Sequence, residues 1–249
     1  MTALSVNVNK LALLRNSRGR NFPDLQQFAR RFLDLGVHGI TVHPRPDQRH
    51  VRFADVPVLA ELLKGRGGAE FNVEGYPSAD FLALMEHVRP HQCTLVPDAA
   101  DQLTSDHGWD LVKQGGFLED SVARLRESGI RVSLFLDPVP AQVALAARIG
   151  ADRIELYTEA YAAAFTSARR VPVLAEYQAA AVEARRLGVG INAGHDLDLQ
   201  NLPLFLGIGG VLEVSIGHAL TIECIEFGME TVIARYLAIC RDGGRAPAA

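Results

Sequence analysis

The sequence predicts an α/β protein, a (β/α)8 TIM barrel with additional helices and with long loops after its first and fourth strands. Three observations carry this. Eight short runs rich in Val, Ile or Leu recur along the chain, each followed by Gly, Pro, Asn, Asp or His, residues that mark strand ends. Between them lie segments whose apolar residues recur at three to four positions, as amphipathic helices require. Finally, 249 residues at 48% apolar content supply one sizeable core and are marginal for two. Parallel strands need crossovers of this kind. Eight strands are what such a barrel closes with, and no G-x-G-x-x-G follows the first run to suggest a dinucleotide-binding sheet.

In chain order, strands are expected over residues 4–8, 38–42, 70–73, 92–96, 131–136, 153–157, 188–192 and 211–216. Leu25, Phe28, Phe32 and Leu35 share a helical face, as do Leu118, Val122 and Leu125. Similar stripes run over 141–149, 173–187 and 219–240. Gly36, Gly129, Gly150 and Gly188 each stand between a helix and the next strand, where the chain often needs a positive φ. One barrel domain is expected over 1–240, with a flexible tail over 241–249. Two connections exceed the usual length: 9–23, polar and Arg-rich, and 97–117, polar and Gly-containing. Long loops in compact domains serve as lids or binding loops.

Composition narrows the class. A net charge of −4 with 22% charged residues argues against disorder and against a nucleic-acid binder, whose footprint is basic. No apolar run reaches the ~18 residues of a membrane span, and the first residues lack the layout of a signal peptide. Cys93, Cys224 and Cys240 are scattered in apolar stretches and read as core thiols of a reducing compartment. A cytoplasmic enzyme is expected. Lysines number 3 against 22 arginines, leaving few candidates for a Schiff base.

Sites of such barrels lie at the C-terminal strand ends. Here those ends carry Asn7, Asn9 and Lys10; His43 and Arg45; Glu74; Asp98; Asp137; Glu155 and Tyr157; Gly194-His195; and Gly217-His218. Three histidines and a glutamate converging on one mouth point to proton transfer. Glu74 follows an apolar strand, so desolvation should raise its basicity and suit it to abstracting a proton; a salt bridge to an arginine is the plainer alternative. His43 and His195 suit proton transfer near neutral pH. Gly194-His195 and Gly217-His218 close the two strands where barrels often hold phosphate. Arg18, Arg45 and His50 form a candidate second anion site. Lys10 would be the nucleophile of a Schiff-base aldolase, but a direct charge on substrate fits its place after strand 1 better. No paired-ligand spacing such as H-x-H or H-E-x-x-H occurs, so no metal is expected.

From residue 5 to about 240 the chain resembles the pyridoxine 5′-phosphate synthase family of vitamin B6 biosynthesis. The resemblance rests on Leu14-Arg15-Asn16-Ser17-Arg18-Gly19, Gly39-Ile40-Thr41-Val42-His43-Pro44-Arg45 with Arg49-His50, Leu95-Val96-Pro97, Arg131-Val132-Ser133-Leu134-Phe135, Val189-Gly190-Ile191-Asn192-Ala193-Gly194-His195 and Val214-Ser215-Ile216-Gly217-His218-Ala219. It implies condensation of 1-deoxy-D-xylulose 5-phosphate with 3-amino-2-oxopropyl phosphate to pyridoxine 5′-phosphate, phosphate and water, with no cofactor. It implies His43 and Glu74 as bases and His195 as an acid. It sets Asn7, Arg18, Arg45, His50 and Thr104 around the substrates, and Gly194, Gly217 and His218 on a phosphate, with Thr104 on a closing lid. It also implies a homo-octamer, a tetramer of dimers, in which Arg18 reaches a neighbour's site. Two positions depart from the family. Asn9-Lys10 stands where many members carry Asp-His, altering substrate contacts there. Glu159 replaces a usual glycine and would repel a phosphate if it pointed inward. The alternatives are another phosphosugar barrel enzyme, an aldolase or isomerase, and a non-catalytic phosphosugar-binding paralogue.

Overall fold

The computed structural model describes residues 1–98, 102 and 104–243. Eight parallel strands, β1 (Ala3–Asn7), β2 (Gly39–Val42), β3 (Glu70–Gly75), β4 (Gln92–Leu95), β5 (Arg131–Leu136), β6 (Arg153–Tyr157), β7 (Gly190–Gly194) and β8 (Val211–Ile216), close in chain order into a barrel. The seam is β8 against β1, with Leu4 opposite Val214 and Ser5 opposite Ser215. Helices α1 (Asn9–Asn16) and α2 (Leu25–Asp34) follow β1, while α3 (Asp55–Lys64), α4 (Ala79–Val88), α5 (Leu111–Glu127) and α6 (Pro140–Ile149) follow β2 to β5 in turn. Helices α7 (Glu159–Ala164) and α8 (Arg170–Leu187) follow β6, α9 (Leu202–Leu206) follows β7, and α10 (His218–Phe227) and α11 (Met229–Asp242) follow β8.

Each strand alternates its two faces. Leu4, Val6, Ile40, Val42, Phe71 and Val73, and their counterparts around the barrel, are buried against the helices and make the apolar core. The other face points into the lumen and is polar. Asn192 on β7 donates to Gln92 on β4 at 3.2 Å, and Thr94 on β4 lies 3.5 Å from Glu155 on β6. Bonds between strands that are not neighbours can only cross the interior. Barrel lumens of this class are commonly filled by Val, Ile and Leu. Here Ser5, Thr41, Asn72, Thr94, Ser133, Glu155, Asn192 and Ser215 are buried in their place. At the N-terminal end Arg131 pairs with Glu70 and Arg153 with Glu213.

Helix ends follow local chemistry. Asp24 caps α2 by accepting from the N–H groups of Gln26 and Gln27, and Ser78 caps α4 through Phe81. Gly150 and Gly188 end α6 and α8 at φ 88° and 73°. That role moves the seventh strand from the expected 188–192 to Gly190–Gly194. The connection expected to be loop over 9–23 begins with the helix α1, and the loop expected over 97–117 stops at Asp110, which caps α5. The stripe over 219–240 is two helices, broken at Gly228 with φ 85° and ψ 141°. Helix α11 continues to Asp242, two residues past the expected domain end, and Gly243 closes it. Residues 244–249 of the expected tail lie outside the described residues. No helix among the described residues is long and apolar enough to cross a membrane.

Candidate active site

The lumen-facing positions at the C-terminal strand ends meet in one place. Asn7 ends β1, Glu74 lies near the end of β3, and Asn7 Nδ2 donates to Glu74 Oε2 at 3.4 Å. The same oxygen is 3.8 Å from His43 Nδ1, beyond hydrogen-bond length but within direct reach of a small shift. The His43 ring lies 6.1 Å from that of His50. Asn9, at the start of α1, fixes this corner: its Oδ1 accepts from the backbone N–H of His43 at 3.0 Å. An amide oxygen is thus the acceptor at this corner. Gly217 packs against Asn7, since a Cβ at 217 would lie 3.1 Å from the Asn7 Cβ and carbonyl oxygen.

Across the mouth, His195 Nε2 is 3.3 Å from Thr104 Oγ1, and its Nδ1 is 2.9 Å from Asp196 Oδ2. The Tyr157 ring stands edge-on to it at 5.1 Å. The connection after β4 is tied to this rim. Arg45 pairs with the buried Asp98 and donates from Nη1 to the Gln102 carbonyl at 2.7 Å, and Ser105 Oγ donates to Asp98 Oδ2 at 2.7 Å. Arg45, expected as an anion ligand, is thus already engaged by Asp98. Arg15 braces the segment around His50 from behind: both its Nη atoms bond Asp55, and Nη2 also donates to the His50 carbonyl.

Burial sets the protonation chemistry. It pushes the Glu74 carboxyl well above the ordinary range, with the charges of Glu155, Asp98 and Glu213 adding and Arg45 opposing. Burial, then Arg45, His50 and Arg49, hold His43 well below its ordinary value, so the imidazole is neutral at pH 7. His50 is pushed down to about 4 by burial and the same arginines. Glu155 is pushed up to about 8, first by burial and then by Glu213. The cavity therefore offers neutral imidazole beside carboxyls of raised proton affinity, the combination general acid–base work needs near neutral pH.

Glu155, read with Tyr157 among the polar residues that strand 6 offers, carries no expected catalytic or binding role, and it lies in the middle of β6. The signal that finds it is the two-residue alternation of Arg153, Glu155 and Tyr157, which sends all three into the lumen. Its carboxylate fills the space beside Gly194, which has no side chain. A Cβ there would overlap Glu155 Oε1 and lie 3.3 Å from the Ser215 carbonyl oxygen. Gly194→Ala is expected to displace Glu155 and lower turnover roughly 10²-fold; an unchanged kcat would show that Glu155 has room to move.

Lys10, Arg18 and His218 are exposed at or beyond the rim. Lys10 and His218 make themselves felt through charge, both favouring the ionised form of Asp196, while Arg18 stands on the loop after α1. Glu159 is the exposed first residue of α7, and its charge acts on Tyr157.

Comparison with known proteins gives a consistent set. A family model described as pyridoxal phosphate biosynthesis protein PdxJ matches residues 4–242. The chain is 52% identical over 244 residues to the pyridoxine 5′-phosphate synthase of Allorhizobium ampelinum, covering 96% of this chain and 98% of that one. It is 49% identical over 238 residues to the protein of the same name from Cytophaga hutchinsonii, covering 95% and 98%. Among solved structures, 3-hexulose-6-phosphate synthase from Salmonella typhimurium superposes with a TM-score of 0.65 at 14% identity, covering 97% of this chain and 100% of that one. At that identity the likeness concerns the fold alone.

Proposed function

The chain belongs to the family of pyridoxal phosphate biosynthesis protein PdxJ, and on that premise we propose how its mouth performs as a pyridoxine 5′-phosphate synthase. The observation that carries the proposal is the Glu74 carboxyl, with its side chain only 12% exposed, bonded to Asn7, facing a neutral His43, with Glu155 in the same lumen.

The two substrates are 1-deoxy-D-xylulose 5-phosphate and 3-amino-2-oxopropyl phosphate. The amine of one attacks the ketone of the other, so the imine forms between substrates and no enzyme lysine is needed. The later steps are abstraction of protons α to C=N or C=O, loss of water and phosphate, and an aldol-type ring closure. Glu74 and His43 take protons, and His195 gives one through Nε2. Gly194, Gly217 and His218 receive one phosphate at the N-terminus of α10. His50 faces the other, with Arg45 adding positive charge from its pair with Asp98, and Asn7, Asn9, Lys10 and Thr104 contact the substrates. General acid–base help contributes about 10²–10⁴-fold per group, and aligning two substrates contributes more.

Self-assembly belongs to the same proposal. Leu13 and Leu14 on α1 and Ile222, Ile225 and Phe227 on α10 are exposed, and the two helices touch. Such a face is suited to burial against other copies, in keeping with a homo-octamer in which Arg18 completes a neighbour's site. Cytoplasmic placement is supported by three free cysteines.

Purified protein given both substrates is expected to develop the ultraviolet absorbance of a new pyridine ring without added metal. Borohydride trapping of a substrate on Lys10, inactivation by a chelator, or ligand binding without turnover would each overturn the proposal.

A further inference from the structure

The turn after β7 is held in a conformation that side chains resist. His195 and the next residue, Asp196, have φ of 87° and 57°, two consecutive non-glycine residues in the left-handed region. The surroundings hold them there. The buried Thr158 hydroxyl bonds the carbonyls of both Gly194, at 2.7 Å, and His195, and its backbone N–H donates to the Gly194 carbonyl at 3.0 Å. Asn201 Nδ2 donates to the Asp196 carbonyl at 3.0 Å.

The strain does not serve to make Asp196 a backbone cap. Asp198 does that work, accepting from the N–H groups of Gln200 and Asn201. Among the described residues the Asp196 side chain bonds only His195, Oδ2 to Nδ1 at 2.9 Å. Its carboxyl is held below the ordinary range, first by that bond, with the charges of His195, His218 and Lys10 adding and burial opposing. An ionised carboxylate only accepts, so Nδ1 must carry the hydrogen. Nε2, 3.3 Å from Thr104 Oγ1 on the opposite side of the ring, is then the nitrogen left to exchange a proton with anything in the cavity.

We propose that Asp196 is a positioning residue for His195: it fixes the tautomer and ring plane so that Nε2 faces the substrates. The kinetic consequence rests on His195 being the acid of the synthase reaction, giving the Nε2 proton as imidazolium and returning to the Nδ1–H tautomer; the spectroscopic one does not. Within the turn Asp196 acts through His195 and need not touch substrate.

The test uses full-length protein labelled with ¹⁵N-histidine and two variants. Asp196→Gly removes the carboxylate at a position whose φ glycine adopts freely. Asp196→Asn keeps an oxygen for the Nδ1 hydrogen, and asparagine also tolerates this region. Without substrate, neutral His195 is expected as the Nδ1–H tautomer in the parent and in Asp196→Asn, and with the Nε2–H form gained in Asp196→Gly. With substrates, Asp196→Gly should lower kcat about tenfold at unchanged KM, and Asp196→Asn should recover most of it. An unchanged tautomer in Asp196→Gly, or a kcat equal to the parent's, overturns the proposal. A parent that makes no pyridoxine 5′-phosphate overturns the functional reading instead, and leaves the tautomer result to decide this one.

Discussion

Glu74→Gln is expected to lower formation of pyridoxine 5′-phosphate by about 10²–10⁴-fold, the contribution of one general base, while leaving the fold intact. Gln matches the size of Glu and keeps an oxygen for Asn7 Nδ2, now at 3.4 Å from Glu74 Oε2. What it loses is the ability to take up a proton. Folding should survive because burial already disfavours the charged form of Glu74, so the neutral amide removes a charge that the site resists. Steady-state turnover measured beside circular dichroism and a melting curve separates the two effects. Turnover like that of the parent, in a folded variant, would remove Glu74 from the mechanism.

Glu155→Gln is expected to make the protein more stable and less active above neutral pH. The Glu155 carboxyl keeps its proton to about 8 in the folded protein, against an ordinary value of 4.5. Between those values the folded state holds a proton that the unfolded chain has released, so stability falls as pH rises through that window. At about 1.4 kcal/mol per pH unit the loss has a ceiling of about 5 kcal/mol. Gln has no proton to lose and should be about 2 kcal/mol more stable at pH 8, after allowing for the partners its amide must find. Near pH 4 the difference should vanish. Activity falls because the Glu155 charge helps to raise the proton affinity of Glu74, second only to burial. Urea denaturation of both proteins from pH 4 to 8 checks the first half; parallel curves would refute it. A buried carboxyl kept against the interest of stability fits the trade between activity and robustness seen at active sites.

The barrel is legible because its strands are short, β-branched and sharply punctuated, and the bounds of β5, β6 and β8 agree residue for residue with the sequence reading. Offsets arise where one residue serves two purposes. Gly188 ends α8, as its helix-stop reading has it, and so is not also the first residue of the strand expected over 188–192, while Gly228 lies inside an apolar stripe yet breaks it. Helix α1 is hidden because Asn9, Lys10, Arg15 and Asn16 give its segment a loop-like polarity. At the site, strand-end position is enough to bring Asn7, His43, Glu74 and His195 to one rim. Asp98, Glu155 and Asp196 take their significance from other things: a partner on a different loop, the width of the lumen, and a left-handed turn. Strand-end position and the two-residue alternation do single out Asp98 and Glu155, but not these partners. The polar alternation in Arg131-Val132-Ser133-Leu134 and Glu70-Phe71-Asn72-Val73 does announce a hydrophilic lumen, once residues are counted by twos.

The seam between the first and last strands also bears on how the enzyme comes into being. Leu4 must wait for Val214, and Ser5 for Ser215. While a ribosome is still threading out the middle of the chain, His43 and Glu74 exist without His195, and the ring of strands stands open on one side. Contacts so distant in sequence form late. The rim that gathers His43, Glu74 and His195 is therefore complete only once β8 lies against β1.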